Sequence, residues 1–219
     1  MITLESVTKL YDTRRGPKTV LDNINLSIEK SEKIGILGRN GAGKSTMIRI
    51  ISGAERPTQG KVHRSMSVSW PLAFGGAFQT GLTGVDNIRF ICRVYGVSTK
   101  DKIEVVDNFA ELGAYLYEPL QNYSSGMLSR LAFGISMAVD FDCFLIDEVV
   151  AVGDARFQEK SRTELFEKRR HKAMIIVSHD PGFIREHCSR VYVLENGKIS
   201  SFVDVDEAYH FYHRILLLE

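Results

Sequence analysis

The sequence has no apolar run approaching the ~20 residues that span a bilayer, and its N-terminus lacks the basic-then-apolar order of a secretory signal. The expected location is therefore cytosolic, and work at a membrane would require docking onto another polypeptide. Cysteine is scarce. Cys92, Cys143 and Cys188 have neither metal-ligand spacing nor an even count, so they read as small buried hydrophobes in a reducing compartment. Charge of one sign is lacking too: 28 basic against 27 acidic residues leave a net charge of +1, with the basic residues dispersed, which offers no electrostatic footprint for nucleic acid. Low-complexity linkers and internal repeats are also missing. What remains is 219 residues, 44% of them apolar, enough to bury a core as one large or two small domains.

Short apolar runs alternate with helical patterns, which favours an α/β fold with a largely parallel sheet and helices on both faces. Ile2 to Val7 and Val20 to Ile28 alternate in period two and predict antiparallel strands. Val191 to Leu194 and Lys198-Ile199 flank Glu195-Asn196-Gly197, where Asn-Gly is a hairpin signal. Residues from about 83 to 140 turn helical and predict an all-helical insertion. Ala208 to Leu218 reads as an amphipathic helix packed on its own domain, with His210 and His213 on the surface rather than on a metal.

The densest chemistry lies in Gly38-Arg39-Asn40-Gly41-Ala42-Gly43-Lys44-Ser45-Thr46, which spells G-x-x-x-x-G-K-S between the apolar Ile34 to Leu37 and the helix-compatible Met47 to Ile51. Such glycines let backbone N–H groups curl around a polyphosphate, Lys44 reaches the outer phosphates and the Ser45 hydroxyl ligates Mg²⁺. The expected ligand is a nucleoside triphosphate, ATP, with Mg²⁺. A glycine-rich turn that matches by accident would lack the flanking strand and helix.

Two further apolar runs end in polar residues. Cys143 to Ile146 leads into Asp147-Glu148, and in a buried parallel strand the carboxyl end is where ligands sit. Asp147 would hold Mg²⁺ and Glu148 would orient or deprotonate the attacking water. A strand that merely ends in two solvated acids is the plain alternative, weakened by the phosphate loop in the same chain. Met174 to Val177 leads into Ser178-His179, where a histidine could donate to the terminal phosphate or to the water. A lone histidine at a strand end is more often structural. Between these runs, Tyr123-Ser124-Ser125-Gly126-Met127 opens a helical stretch; taken alone it reads as ordinary capping, although such a turn is also an anion site at a helix N-terminus.

In this order the chain resembles the nucleotide-binding subunit of an ABC transporter over nearly its full length: phosphate loop, Tyr123-Ser124-Ser125-Gly126-Met127 in place of the Leu-Ser-Gly-Gly-Gln signature, Asp147-Glu148, then His179. The resemblance implies one cassette domain spanning 1–219, with a P-loop core sheet, an N-terminal antiparallel β subdomain and a helical subdomain at about 83–140. It implies that Tyr11 stacks on adenine and that Gln79 is the loop glutamine that meets Mg²⁺ and the membrane partner. The signature differs at three of five positions, with Tyr123, Ser125 and Met127 standing for Leu, Gly and Gln; Ser125 and Gly126 are expected as its contacts, and Gln79 stands only three residues before Leu82-Thr83-Gly84, closer than is usual in the family.

Ala151-Val152-Gly153-Asp154 followed by Phe157-Gln158-Glu159-Lys160, together with Phe74 to Phe78, is similar to the subfamily that exports cell-surface polysaccharides. With the chain ending at Glu219 and no C-terminal carbohydrate-binding domain, the match is to the short capsular-polysaccharide export ATPases, such as those for polysialic acid. That resemblance implies a head-to-tail dimer in which Lys44, Asp147, Glu148 and His179 of one copy meet Ser125 and Gly126 of the other. It also implies an integral membrane subunit docked near Gln79, other capsule export proteins as partners, and a place on the cytoplasmic face of the inner membrane. O-antigen or teichoic acid exporters, importers and a soluble mechanical ATPase remain alternatives; against the last stand the missing coiled coil, second cassette and basic stripe.

Overall fold

The computed structural model describes residues 1–72, 78–147 and 154–217. Phe74 to Ala77, Glu148 and Val149 to Gly153 thus lie outside the described residues. Two compact units are present. The first comprises Met1–Ser69, the stretch from Asp142 and the chain from His171 onward; the second comprises Trp70–Phe141 and the chain up to Arg170.

In the first unit, β1 (Ile2–Thr13) and β2 (Gly16–Ile28) form a long antiparallel hairpin, and β4 (Gln59–Arg64) pairs with the other edge of β1. The simple alternation expected for this region holds only in part. Ile2 and Leu4 point inward, but the next buried residue is Val7, three on rather than two. A register irregularity falls there, with Ser6 at φ 49°. Asn23 at φ 52° likewise separates the buried Leu21 and Ile24. Each bulge inserts a residue and restores the apolar face to the core, which strict period two would have turned to solvent.

The second sheet of this unit has six strands in the order β5-β6-β7-β3-β8-β9. β3 (Lys33–Leu37) lies between β7 (Ala173–Val177) and β8 (Arg190–Glu195), parallel to both, and β6 (Cys143–Asp147) runs parallel to β7. β5 (Val68–Pro71) borders β6, and β9 (Lys198–Phe202) runs antiparallel on the far edge. Strands β3, β6 and β7 are almost wholly buried, as continuous apolar runs in a parallel sheet must be. Glu195 pairs with Lys198, so Asn196-Gly197 is a two-residue loop with φ 47° and 76°, the type I′ geometry that Asn-Gly favours.

The register sets the site. Asp147 pairs with Val177 and Val177 with Ile36, so the carboxyl ends of β6, β7 and β3 form one line across the sheet. The phosphate loop, Asp147 and His179 all leave from that line. Helix α1 (Lys44–Ser52) buries Met47, Ile48, Ile50 and Ile51, while α6 (Pro181–His187) and α7 (Val205–Leu217) pack on each other. α7 buries Tyr209, Tyr212 and Ile215 and leaves His210 and His213 exposed, as expected. Cys92 and Cys143 are buried and Cys188 half-buried; burial pushes the Cys143 and Cys188 thiols up to about 12, so they stay protonated and inert.

The second unit is helical: α2 (Gly84–Val94), α3 (Lys102–Ala110), two short 3₁₀ turns, α4 (Ser125–Val139) and α5 (Ala155–Arg162), the last running into a π turn. The Thr83 side chain caps α2 by accepting from the Asp86 amide, and the Ser124 side chain caps α4 by accepting from the Met127 amide. Two aromatic clusters form its core, Phe109, Phe133 and Phe157 in one and Trp70, Tyr95 and Phe141 in the other.

Candidate functional site

The loop between β3 and α1 bends back because Gly41 and Gly43 adopt φ 84° and 109°, a region costly for residues with a Cβ. Gly43 is doubly required: a Cβ there would lie 2.9 Å from the Val20 carbonyl oxygen and 3.1 Å from a Leu21 methyl. The Ala42 amide donates to the Arg39 carbonyl at 3.1 Å and the Met47 amide to that of Gly43 at 2.9 Å, which passes the loop directly into the helix. Lys44 folds across the loop, donating from Nζ to the carbonyls of Gly38 and, at 3.0 Å, Arg39.

Residues 39–41 and 43–46, Val20 and Asp147 line one cavity of about 330 Å³. It presents a fixed ammonium, the Ser45 and Thr46 hydroxyls, the positive end of α1 and one carboxylate. A tetrahedral anion fits such a cradle, and the hard oxygens of Ser45 and Asp147 suit Mg²⁺. The structure thus brings together Arg39 to Gly41, Gly43 to Thr46 and Asp147 around one cavity, with Gly38 accepting from Lys44. His179 leaves the adjacent strand β7 exposed on one side, with its ring 6.4 Å from that of Tyr212.

Tyr11 stands elsewhere on the same unit. Its hydroxyl donates to Glu55 at 2.7 Å and accepts from Arg49 at 3.3 Å, and the Lys9 ammonium lies 5.1 Å from the ring centroid. Partial burial pushes the Glu55 carboxyl up, but hydrogen bonds from Lys9, Tyr11 and Arg49 outweigh it and hold the group down at about 2. Tyr11 is paired in register with Lys18, which lines a second cavity of about 460 Å³ beside loop residues 39–42.

In the helical unit, Gln79 is exposed and its backbone is clamped by Asn87, a polar side chain only 1% exposed. Asn87 Oδ1 accepts from the Gln79 amide at 2.9 Å, and Nδ2 donates to the carbonyls of Gln79 at 3.2 Å and Thr83 at 2.9 Å. Ser125 is exposed and Gly126 half-buried in the first turn of α4. Tyr123, standing where leucine is usual, is buried and donates from its hydroxyl to the Tyr115 carbonyl at 2.5 Å; burial pushes it up to about 12. Gly84 makes room for it, since a Cβ there would lie 2.7 Å from that hydroxyl. Phe78 is buried.

Sequence reasoning missed Asn87, whose signal is a polar residue one turn after the capping Thr83 on an otherwise apolar face. It also missed the role of the Asp154-to-Lys160 stretch. Asp154 caps α5 and accepts from Arg130 of α4 at 2.9 Å, Arg130 lies 5.0 Å over the Phe157 ring, and Lys160 donates to the Asn108 and Phe109 carbonyls at the end of α3. Those residues hold the helical unit together.

A family model described as ABC transporter matches residues 21–151. "ATP-binding protein BexA" of Haemophilus influenzae is 58% identical over 213 residues, covering 97% of this chain and 98% of its own length. "Capsule polysaccharide export ATP-binding protein CtrD" of Neisseria meningitidis serogroup B is 56% identical over 215 residues, covering 98% of this chain and 100% of its own. "Polysialic acid transport ATP-binding protein KpsT" of Escherichia coli is 43% identical over 206 residues, covering 93% and 92%. Among solved structures, the dimeric ATP-binding cassette MJ0796 bound to ADP and Pi superposes with a TM-score of 0.76 at 23% identity, covering 93% of this chain and 98% of the other; at that identity the likeness speaks for the fold.

Proposed function

Because the chain belongs to the ABC transporter ATP-binding family, we propose that it hydrolyses ATP to energise export of a capsular polysaccharide through a separate membrane-spanning partner. The observation that carries the nucleotide chemistry is the single cavity shared by the phosphate loop and Asp147. The cargo is supported by relatives of nearly equal length whose names specify capsule polysaccharide or polysialic acid transport.

In this reading residues 38–46 bind the phosphates of ATP, with Lys44 exchanging its two carbonyl partners for phosphate oxygens. Mg²⁺, when bound, neutralises charge on the phosphates, and Ser45, Asp147 and Gln79 are the residues that would hold it. Glu148 takes the proton of the attacking water, and His179 donates toward the terminal phosphate. Tyr11 offers its ring to adenine. Ser125 and Gly126, at the positive end of α4, serve the nucleotide of a second copy, so that the working form is a head-to-tail dimer of single cassettes, each with its helical part at about 83–140. Contacts across ATP close that dimer and hydrolysis releases it. No helix among the described residues is long and apolar enough to cross a membrane, in keeping with a peripheral subunit on the cytoplasmic face of the inner membrane, held there by the transporter subunit and neighbouring capsule export proteins.

The test is Glu148→Gln with ATP in size-exclusion chromatography and phosphate release. The variant should bind ATP, elute as a dimer and turn over at least about a hundredfold slower than native. Native turnover by Glu148→Gln would remove Glu148 from its role.

A further inference from the structure

Helix α7 has no task in the nucleotide chemistry above, yet two observations converge on one of its residues. The Tyr212 ring, 8% exposed, lies 6.4 Å from the His179 ring with 27° between planes, within the range of offset stacking. The same residue lines the cavity of about 460 Å³ whose walls include phosphate-loop residues 39–42 and the β8–β9 turn. One buried ring therefore lines a cavity walled by the phosphate loop and also lies beside the strand-end histidine. The α7 backbone that carries it is fixed by packing on β8, β9 and α6, with Ala208 fully buried and Tyr209 and Ile215 nearly so.

His179 is exposed and follows a strand end, where side-chain contacts set the ring plane, and the stack on Tyr212 is one of them. An aromatic stack of this kind shifts a rotamer population by a few-fold to about tenfold. We infer that Tyr212 is a positioning residue for ATP hydrolysis: its ring fixes the plane of His179 beside the phosphate loop, so that α7 sets how often the imidazole stands in its working orientation. This rests on the assignment of His179 to the terminal phosphate. Tyr212 touches no reacting atom; its effect falls on turnover and leaves nucleotide affinity alone.

The experiment is a double-mutant cycle on the full chain. Phosphate release is measured across Mg-ATP concentrations, binding of a non-hydrolysable ATP analogue is measured separately, and kcat is expressed per folded molecule from thermal melts. Tyr212→Leu should lower kcat about five- to tenfold with KM and analogue affinity within about twofold of native. Tyr212→Phe, which keeps the ring, should stay within about twofold on all three. Adding Tyr212→Leu to His179→Ala should cost nothing further. If Tyr212→Leu fails to fold, Tyr212→Met fills similar volume without a ring and carries the same expectation.

Native kcat in the ringless variants, equal loss in Tyr212→Phe, or multiplicative losses in the double variant would overturn the inference. Native kcat in His179→Ala would instead remove the histidine's assignment, a result distinct from failure of Tyr212 alone.

Discussion

Replacing Gly43 with alanine should damage the protein far more than replacing Gly41, although both sit in the same loop at positive φ. At Gly41 the added methyl meets nothing within 4 Å, so the cost is the left-handed backbone alone, about 1–2 kcal/mol. At Gly43 the same backbone cost applies, and the methyl also meets the Val20 carbonyl at 2.9 Å and the Leu21 and Val20 side chains at 3.1 Å. Val20 belongs to a strand held in the three-stranded sheet, so the carbonyl cannot swing aside cheaply, and overpacking adds about 1–3 kcal/mol. The sums predict Tm losses of about 2–8 °C for Gly41→Ala and about 4–20 °C for Gly43→Ala, read by calorimetry. Nucleotide affinity should follow, because relief of the clash moves the residue that caps α1: at least about tenfold weaker for Gly43→Ala and a few-fold for Gly41→Ala in equilibrium binding. Equal melting points for the two variants, or ATP affinity within twofold of native in Gly43→Ala, would refute the reasoning.

Asn87→Ala deletes four hydrogen bonds that fix the Gln79 loop, the longest of them to the Leu82 carbonyl at 3.4 Å, and the helical unit should lose about 2–3 kcal/mol, seen as faster amide exchange at Gln79 and Asn87's neighbours and a lower melting point; an unchanged melt would remove Asn87 as the clamp. Glu55 is held at about 2, below its ordinary value of 4.5, so its stabilising contribution is full above pH 4.5 and lost as pH falls toward 2. The depression amounts to at most about 3 kcal/mol, and solvent around Arg49 reduces it to about 1–2 kcal/mol. Glu55→Gln should therefore be less stable than native by that amount at pH 7 and converge with it near pH 2 in denaturant melts, whereas a constant gap across pH would contradict the charge-based account.

The local devices were legible in the chain. Gly38 to Thr46 carries its own geometry, Asn196-Gly197 specifies its turn, and the apolar run Cys143 to Ile146 announces a strand buried on both faces. Those are short-range rules, and the strand ends they mark are where the candidate site lies. The bulges at Ser6 and Asn23 were not legible, because only the requirement that Val7 and Ile24 reach the core selects them. Nor was the strand order that places β3 beside β7 and so aligns Asp147, Val177 and Ile36; sequence order says nothing about it. Tyr212 and the buried Tyr123 hydroxyl act through a partner far along the chain or through a neighbour that must be small, as Gly84 must, while Asn87 acts on a nearby loop whose path only the fold defines. Capping was readable as a type, yet the side chain that caps α4 is Ser124, while Ser125 stands one residue inside with its side chain in solvent.

The central claim is that this ATP-binding subunit drives export of capsular polysaccharide, and deletion of its gene tests that most directly. Polymer is followed by surface staining and by fractionation, with complementation by native protein and by Lys44→Ala. The account predicts polymer trapped in the cytoplasm of the deletion strain and restored to the surface by native protein alone. Normal surface polymer in the deletion strain, or restoration by Lys44→Ala, would contradict it.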